Sequence, residues 1–177
     1  MVSLDVIFWG FTILFALIGA TRGWAKELIV LFSVILGLFI LTVLEKFVPF
    51  VQALILSAPL TLFWIRIGLL SILVFFGYQT PNIAKMSNMG TRLDREKVQD
   101  SLLGLFIGFI NGFLIVGSMW YFMHLANYPY SIIKAPDAVM GANALRLVPF
   151  LAPAWLGSPM IYFAVAVAFV LVIVVFI

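Results

Sequence analysis

Apolar residues run through this chain in blocks about as long as a bilayer is thick, and the polar positions fall between the blocks. A spanning helix needs about 20 mostly apolar residues. Five stretches meet that length: Leu4 to Ala20, Trp24 to Leu44, Leu60 to Tyr78, Ser101 to His124 and Pro159 to Ile177. The pattern predicts an all-α integral membrane protein, a single domain over residues 1–177, built as two antiparallel hairpins plus a C-terminal helix. The fourth stretch is the expected centre. In DSLLGLFIGFINGFLIVGSMW, Asp100 to Trp120, Gly104, Gly108 and Gly112 stand four apart and therefore share one side of a helix. Small residues at that spacing mark the face on which membrane helices approach closely.

The other segments carry small residues too. Thr12, Ala16, Gly19, Ala20 and Gly23 line the inner end of the first, and Ser33 and Gly37 interrupt the second. TRGWAKE, Thr21 to Glu27, is too short to leave the membrane surface, so the first two helices are expected to form a tight hairpin with Trp24 anchored at the interface. FVPFVQALILSAP, Phe47 to Pro59, is apolar but too short to span, which suits a surface-lying connection. Residues 79–100 hold the hydrophilic TRLDREKVQD, with Arg92, Asp94, Arg95, Glu96, Lys97 and Asp100. From Asn127 to Pro159 turn formers dominate, and DAVMGANALRLV, Asp137 to Val148, reads as a short helix. Asp137 would be its cap and Val139, Met140, Leu145 and Val148 its apolar side.

Composition sharpens this picture. With 65% hydrophobic and 10% charged residues, the chain lacks the polar surface to cover a water-soluble globule. The start, MVSLD, has no basic region ahead of its apolar run, so the first segment is expected to stay in the mature protein. The net charge of +3 is spread over loops near membrane ends, which argues for anionic lipid contact and against a nucleic-acid partner. The loops after the first and third helices hold Arg22, Lys26, Lys85, Arg92, Arg95 and Lys97, against Lys46, Lys134 and Arg146 in the other two. The positive-inside rule then puts residues 21–27 and 79–100 in the cytoplasm and the N-terminus outside. Absence of cysteine removes disulfides and thiolate chemistry. The last segment runs apolar to Ile177, so either a partner covers that end or the chain continues.

Asp5, the TRGWAKEL turn and DSLLGLFIGFING together resemble the colicin V production protein family of bacterial membrane proteins, over roughly residues 4 to 123. Asp5 resembles the acidic residue that opens the family's first helix. Arg22, Gly23, Lys26 and Glu27 stand as its RGxxKE or RGxxRE turn, and Asp100, Gly104, Gly108 and Gly112 as its DxxxGxxxGxxxG segment. The chain departs from the family at Ser101 and Asn111, where basic residues are usual, so contacts resting on those charges are expected to be missing. Family members usually have four spans, and the fifth looks like an addition. The resemblance implies a cytoplasmic-membrane protein linked to toxin export and envelope upkeep, and it implies no catalytic residues.

Candidate chemistry is sparse. The glycines read as packing surface rather than a gate. Asn111 shares the face of Gly104 and Gly108. An amide there bridges helices at about 0.6–2 kcal/mol. The alternative is a polar lining for a solute path. Asp5 and Arg66 lie near the same membrane face and are expected to pair, with snorkelling to lipid phosphate as the plainer reading. His124, the one histidine, reads as interfacial; its sharper alternative is a ligand to a pigment or haem. Glu27 beside Lys26, and the Asp94 to Lys97 cluster, read as solvated helix ends with exchangeable surface pairs, or as a docking site over Arg92 to Asp100. No Walker loop, HExxH motif or plausible paired carboxylates support an enzyme, and no metal site is expected. The leading expectation is a non-enzymatic organiser of membrane partners, with membrane lipids bound and other membrane subunits as company. An accessory subunit of a photosynthetic or respiratory complex, in contact with pigment, haem or quinone, is the second reading. A small channel or transporter is the third.

Overall fold

The computed structural model describes residues 3–79, 94–130 and 142–176, and among these it contains helices and turns but no strand. Helix α1 (Leu4–Arg22) and α2 (Trp24–Phe47) are separated by Gly23 alone. A short helix α3 (Pro49–Ser57) begins at a proline and leads to α4 (Pro59–Tyr78), which begins at another. Proline suits this first position because its missing N–H would have no partner there and its φ is already helical. Helix α5 (Asp94–Leu125) follows, then α6 (Ala142–Leu147), a 3-10 turn (Val148–Phe150), the one-turn α7 (Ala152–Trp155) and α8 (Met160–Phe176).

Among the described residues four helical stretches are long and apolar enough to cross a membrane: Leu4–Arg22, Trp24–Phe47, Pro59–Tyr78 and Lys97–Leu125. At about 1.5 Å per residue α1 is about 28 Å long, close to the hydrocarbon thickness of about 30 Å. The expected fifth span is helical but has 17 residues. That is the short limit for crossing. Helix α5 starts at Asp94, ahead of the predicted Ser101. The polar DREKVQD is made largely of good helix formers, so the helix continues past the end of the apolar run. Of the residues proposed for the short helix after α5, Asp137, Val139 and Met140 lie outside the described residues, as do Lys85, Arg92 and Lys134. In the part that is described, Ala144 and Val148 face inward, while Leu145, expected on the apolar side, is exposed.

The expected hairpin partners, α1 with α2 and α4 with α5, are not the tightest pairs. Helix α1 packs chiefly against α5 and α2 against α4, whereas α1 against α2 and α4 against α5 are slight contacts. Matching small residues decide this. Gly19 of α1 meets Gly104 and Gly108, and Ser33 and Gly37 of α2 meet Gly77, Leu70 and Leu73 of α4. Helix α8 lies along α2, with Phe169 edge-on to Phe32 at 4.8 Å between ring centroids and Ile161, Val165 and Ala168 buried. A second, smaller core of Phe8, Trp120, Ala144, Val148 and Leu151 joins α1, α5 and α6 to the 3-10 turn.

Candidate functional site

The site forms where the end of α1, the start of α2, the end of α4 and the glycine face of α5 converge. Gly23 makes the turn with φ +86°, a backbone state that side chains disfavour. A Cβ there would also stand 2.8 Å from Asp100 Oδ2. That close approach lets the Trp24 backbone N–H donate to Asp100 Oδ1 at 3.2 Å. The first N–H groups of a helix have no partner within it and carry its positive dipole end, so a carboxylate is favoured at the start of α2. The neighbouring Ser101 hydroxyl donates to the Ala20 carbonyl at 2.9 Å, near the end of α1. Two adjacent residues of α5 therefore serve the end of one helix and the beginning of the next.

Below these caps the backbones of α1 and α5 approach with no room for side chains. A Cβ on Gly108 would lie 2.6 Å from the Phe15 carbonyl oxygen and 2.9 Å from Gly19 Cα, and one on Gly112 would lie 2.7 Å from Phe15 Cβ. Gly104 abuts the Gly19 carbonyl in the same way. The glycine stripe is thus a packing surface, and Thr12 and Ala16 complete its α1 side.

Glu27 is the hub beside this seam. Expected at a solvated helix end, its side chain is 0% exposed. The Arg22 Nη1 group donates to Glu27 Oε1 at 2.6 Å. The Asn111 amide donates to Glu27 Oε2 at 2.8 Å and to the Glu27 carbonyl at 3.0 Å. Arg22 also donates through Nη2 to the Tyr78 carbonyl at 3.1 Å and lies over the Tyr78 ring, 4.3 Å from its centroid. One ion pair and one amide therefore connect α1, α2, α4 and α5. The corrected role follows from the Gly23 turn, which points Glu27 into the bundle and carries Arg22 in with it. Burying a charge without a partner is costly, and here both carboxylate oxygens accept from a donor. Ser101 and Asn111 also supply hydrogen bonds at the two positions where missing charges were expected to leave gaps.

The other candidates are placed elsewhere. The Arg66 partner is Glu45, with Nε donating to Oε1 at 2.7 Å, and not Asp5. Helices α2 and α4 run antiparallel in close contact, which brings Glu45 to Arg66, while Asp5 sits on α1 and accepts from the Ser3 hydroxyl. His124 is half-buried, with Nδ1 3.3 Å from the Tyr128 hydroxyl, which also accepts from Trp120 Nε1 at 3.2 Å. Burial pushes the Tyr128 phenol above its ordinary pKa, while the Trp120 bond acts weakly the other way. Lys26, next to Glu27 in the chain, is half-buried. Among the described residues no group of three or more His, Cys, Asp or Glu is arranged to hold a metal ion.

A sequence model of the colicin V production proteins matches residues 4–141, and that range contains every residue of the Arg22–Glu27–Asn111 cluster and of the glycine seam. The chain belongs to the colicin V production protein family. No match is found among curated proteins or among solved structures. The RGxxKE turn and the DxxxGxxxGxxxG segment, far apart in the chain, are here one site, with Asp100 at Gly23 and Asn111 at Glu27. Helices α6, α7 and α8 lie beyond the family match. Sequence reasoning missed Tyr78 as the contact of Arg22 and Glu45 as the partner of Arg66. Glu45 carried a signal, because antiparallel α2 and α4 set the end of one beside the start of the other.

Proposed function

We propose that this colicin V production family protein is a non-enzymatic frame in the bacterial cytoplasmic (inner) membrane. It organises other membrane subunits for toxin export and envelope upkeep. The observation that carries this reading is one polar cluster devoted to fastening helices: Arg22, Glu27 and Asn111 join four spans. Groups spent in this way give a fixed scaffold. Large side chains such as Trp9, Phe11, Trp64, Phe75, Phe76 and Phe106 remain exposed along the spans, a surface that lipid or a partner span can cover. In this reading residues 21–27 and 79–100 face the cytoplasm.

The test is extraction from native membranes in mild detergent, separation by size, and mass spectrometry of the co-migrating chains. The expected result is a discrete particle in which this chain and other membrane proteins keep a fixed ratio. A homogeneous particle of this chain alone overturns the organiser reading.

A further inference from the structure

At the opposite end of the bundle from Glu27, a part-open cavity of about 400 Å³ lies between α2, α4, α5 and the segment around α7. Its size falls within the range of small-ligand sites, about 300–1,000 Å³. Glu45, Lys46 and Arg66 line it together with the apolar Leu41, Phe122 and Leu156. The wall thus combines charged and apolar side chains, with one more positive than negative side chain.

Glu45 offsets the charge of Arg66, which leaves Lys46 as the excess cation of the lining. The Arg66 side chain is 9% exposed and rests with its guanidinium carbon 5.6 Å from the Phe122 ring centroid. Its bond to Glu45 uses Nε, and among the described residues its Nη groups have no acceptor. Lys46 Nζ reaches the neutral Ser158 hydroxyl at 3.4 Å and the ring faces of Phe47 and Tyr162, but among the described residues it meets no carboxylate. A cation this deep in a spanning helix is costly, and a fork of free N–H groups matches phosphate oxygens.

We propose that this cavity binds an anionic phospholipid. Its phosphate would lie between Arg66 and Lys46, and an acyl chain would run along the Leu41–Phe122–Leu156 wall. The single negative charge of a phosphodiester balances the excess positive charge of the lining. The apolar wall, carried partly by the spans α2 and α5, argues for a lipid rather than a soluble anion.

The full chain, purified in mild detergent, is incubated with phosphatidylglycerol or with phosphatidylcholine of the same acyl chains, and retained lipid is counted by native mass spectrometry. One tightly held phosphatidylglycerol is expected, with retention about fivefold or more above phosphatidylcholine. Lys46→Gln, at an exposed position, is expected to lower phosphatidylglycerol retention about fivefold, and Lys46→Glu to abolish the preference. Arg66→Gln is expected to remove the tightly held lipid while circular dichroism shows the helices intact. Should that variant not fold, the two Lys46 variants decide. Equal retention of the two lipids, a preference unchanged by Lys46→Glu, or displacement of the lipid by inorganic phosphate overturns the proposal.

Discussion

A methyl group added at Gly108 and one added at Gly10 meet opposite fates, although both glycines lie inside apolar helices. At Gly108 the new carbon would be 2.6 Å from the Phe15 carbonyl oxygen, so α1 and α5 must separate. At Gly10 nothing lies within 4 Å. Gly108→Ala is therefore expected to destabilise by about 1–3 kcal/mol, and Gly10→Ala to stabilise by about 0.5–1 kcal/mol through helix propensity. The midpoint of detergent-induced unfolding, followed by circular dichroism, checks both signs. Glu27 makes a sharper case. Removing Arg22 leaves a buried carboxylate without its cation, and Arg22→Met is expected to cost about 3–5 kcal/mol by the same measurement. Adding Glu27→Gln to that variant removes the stranded charge and is expected to recover most of the loss. An equal loss in the single and double variants would show that Arg22 acts by shape rather than by charge.

At the level of elements, the spans were legible because apolar length is a direct consequence of membrane thickness. The start of α5 was not, since polarity reports where the membrane ends and not where a helix does. Helix partners were half legible. The glycine spacing identified the contact face of α5, but nothing in the spacing said that α1 would occupy it. That choice needs Gly19 and Gly104 to meet in three dimensions, as it does the pairing of Asp100 with Gly23. The ion pairs failed for a related reason: charge and approximate depth matched Asp5 to Arg66, whereas the antiparallel register of α2 and α4 selects Glu45. Helix α8 touches chiefly α2 and is not fastened through the Glu27 cluster. Phe169→Ala, which deletes the ring set edge-on to Phe32, is expected to loosen α8 alone. Hydrogen exchange should then quicken in α8 while amides of α1 and α5 near the glycine seam keep their protection. Faster exchange throughout would mean that α8 supports the whole bundle.

For the whole molecule, the arrangement of loops makes orientation measurable in one experiment, because the chain contains no cysteine. Thr21→Cys, at the exposed end of α1, and Ser57→Cys, at the exposed end of α3, mark opposite ends of the bundle. With the N-terminus outside, a membrane-impermeant maleimide added to intact spheroplasts is expected to label Ser57→Cys and spare Thr21→Cys until the cells are opened. The reverse pattern would invert the proposed topology. The caps supplied by Asp100 and Ser101 bear on how such a bundle is made. Trp24 and Asp100 are 76 positions apart, a distance that synthesis at roughly 5–20 residues per second covers in about 4–15 s. Through that interval the nascent α1–α2 pair has its turn uncapped and Glu27 without the Asn111 amide. The first two spans thus leave the ribosome unfinished, and the arrival of α5 is the event that locks them.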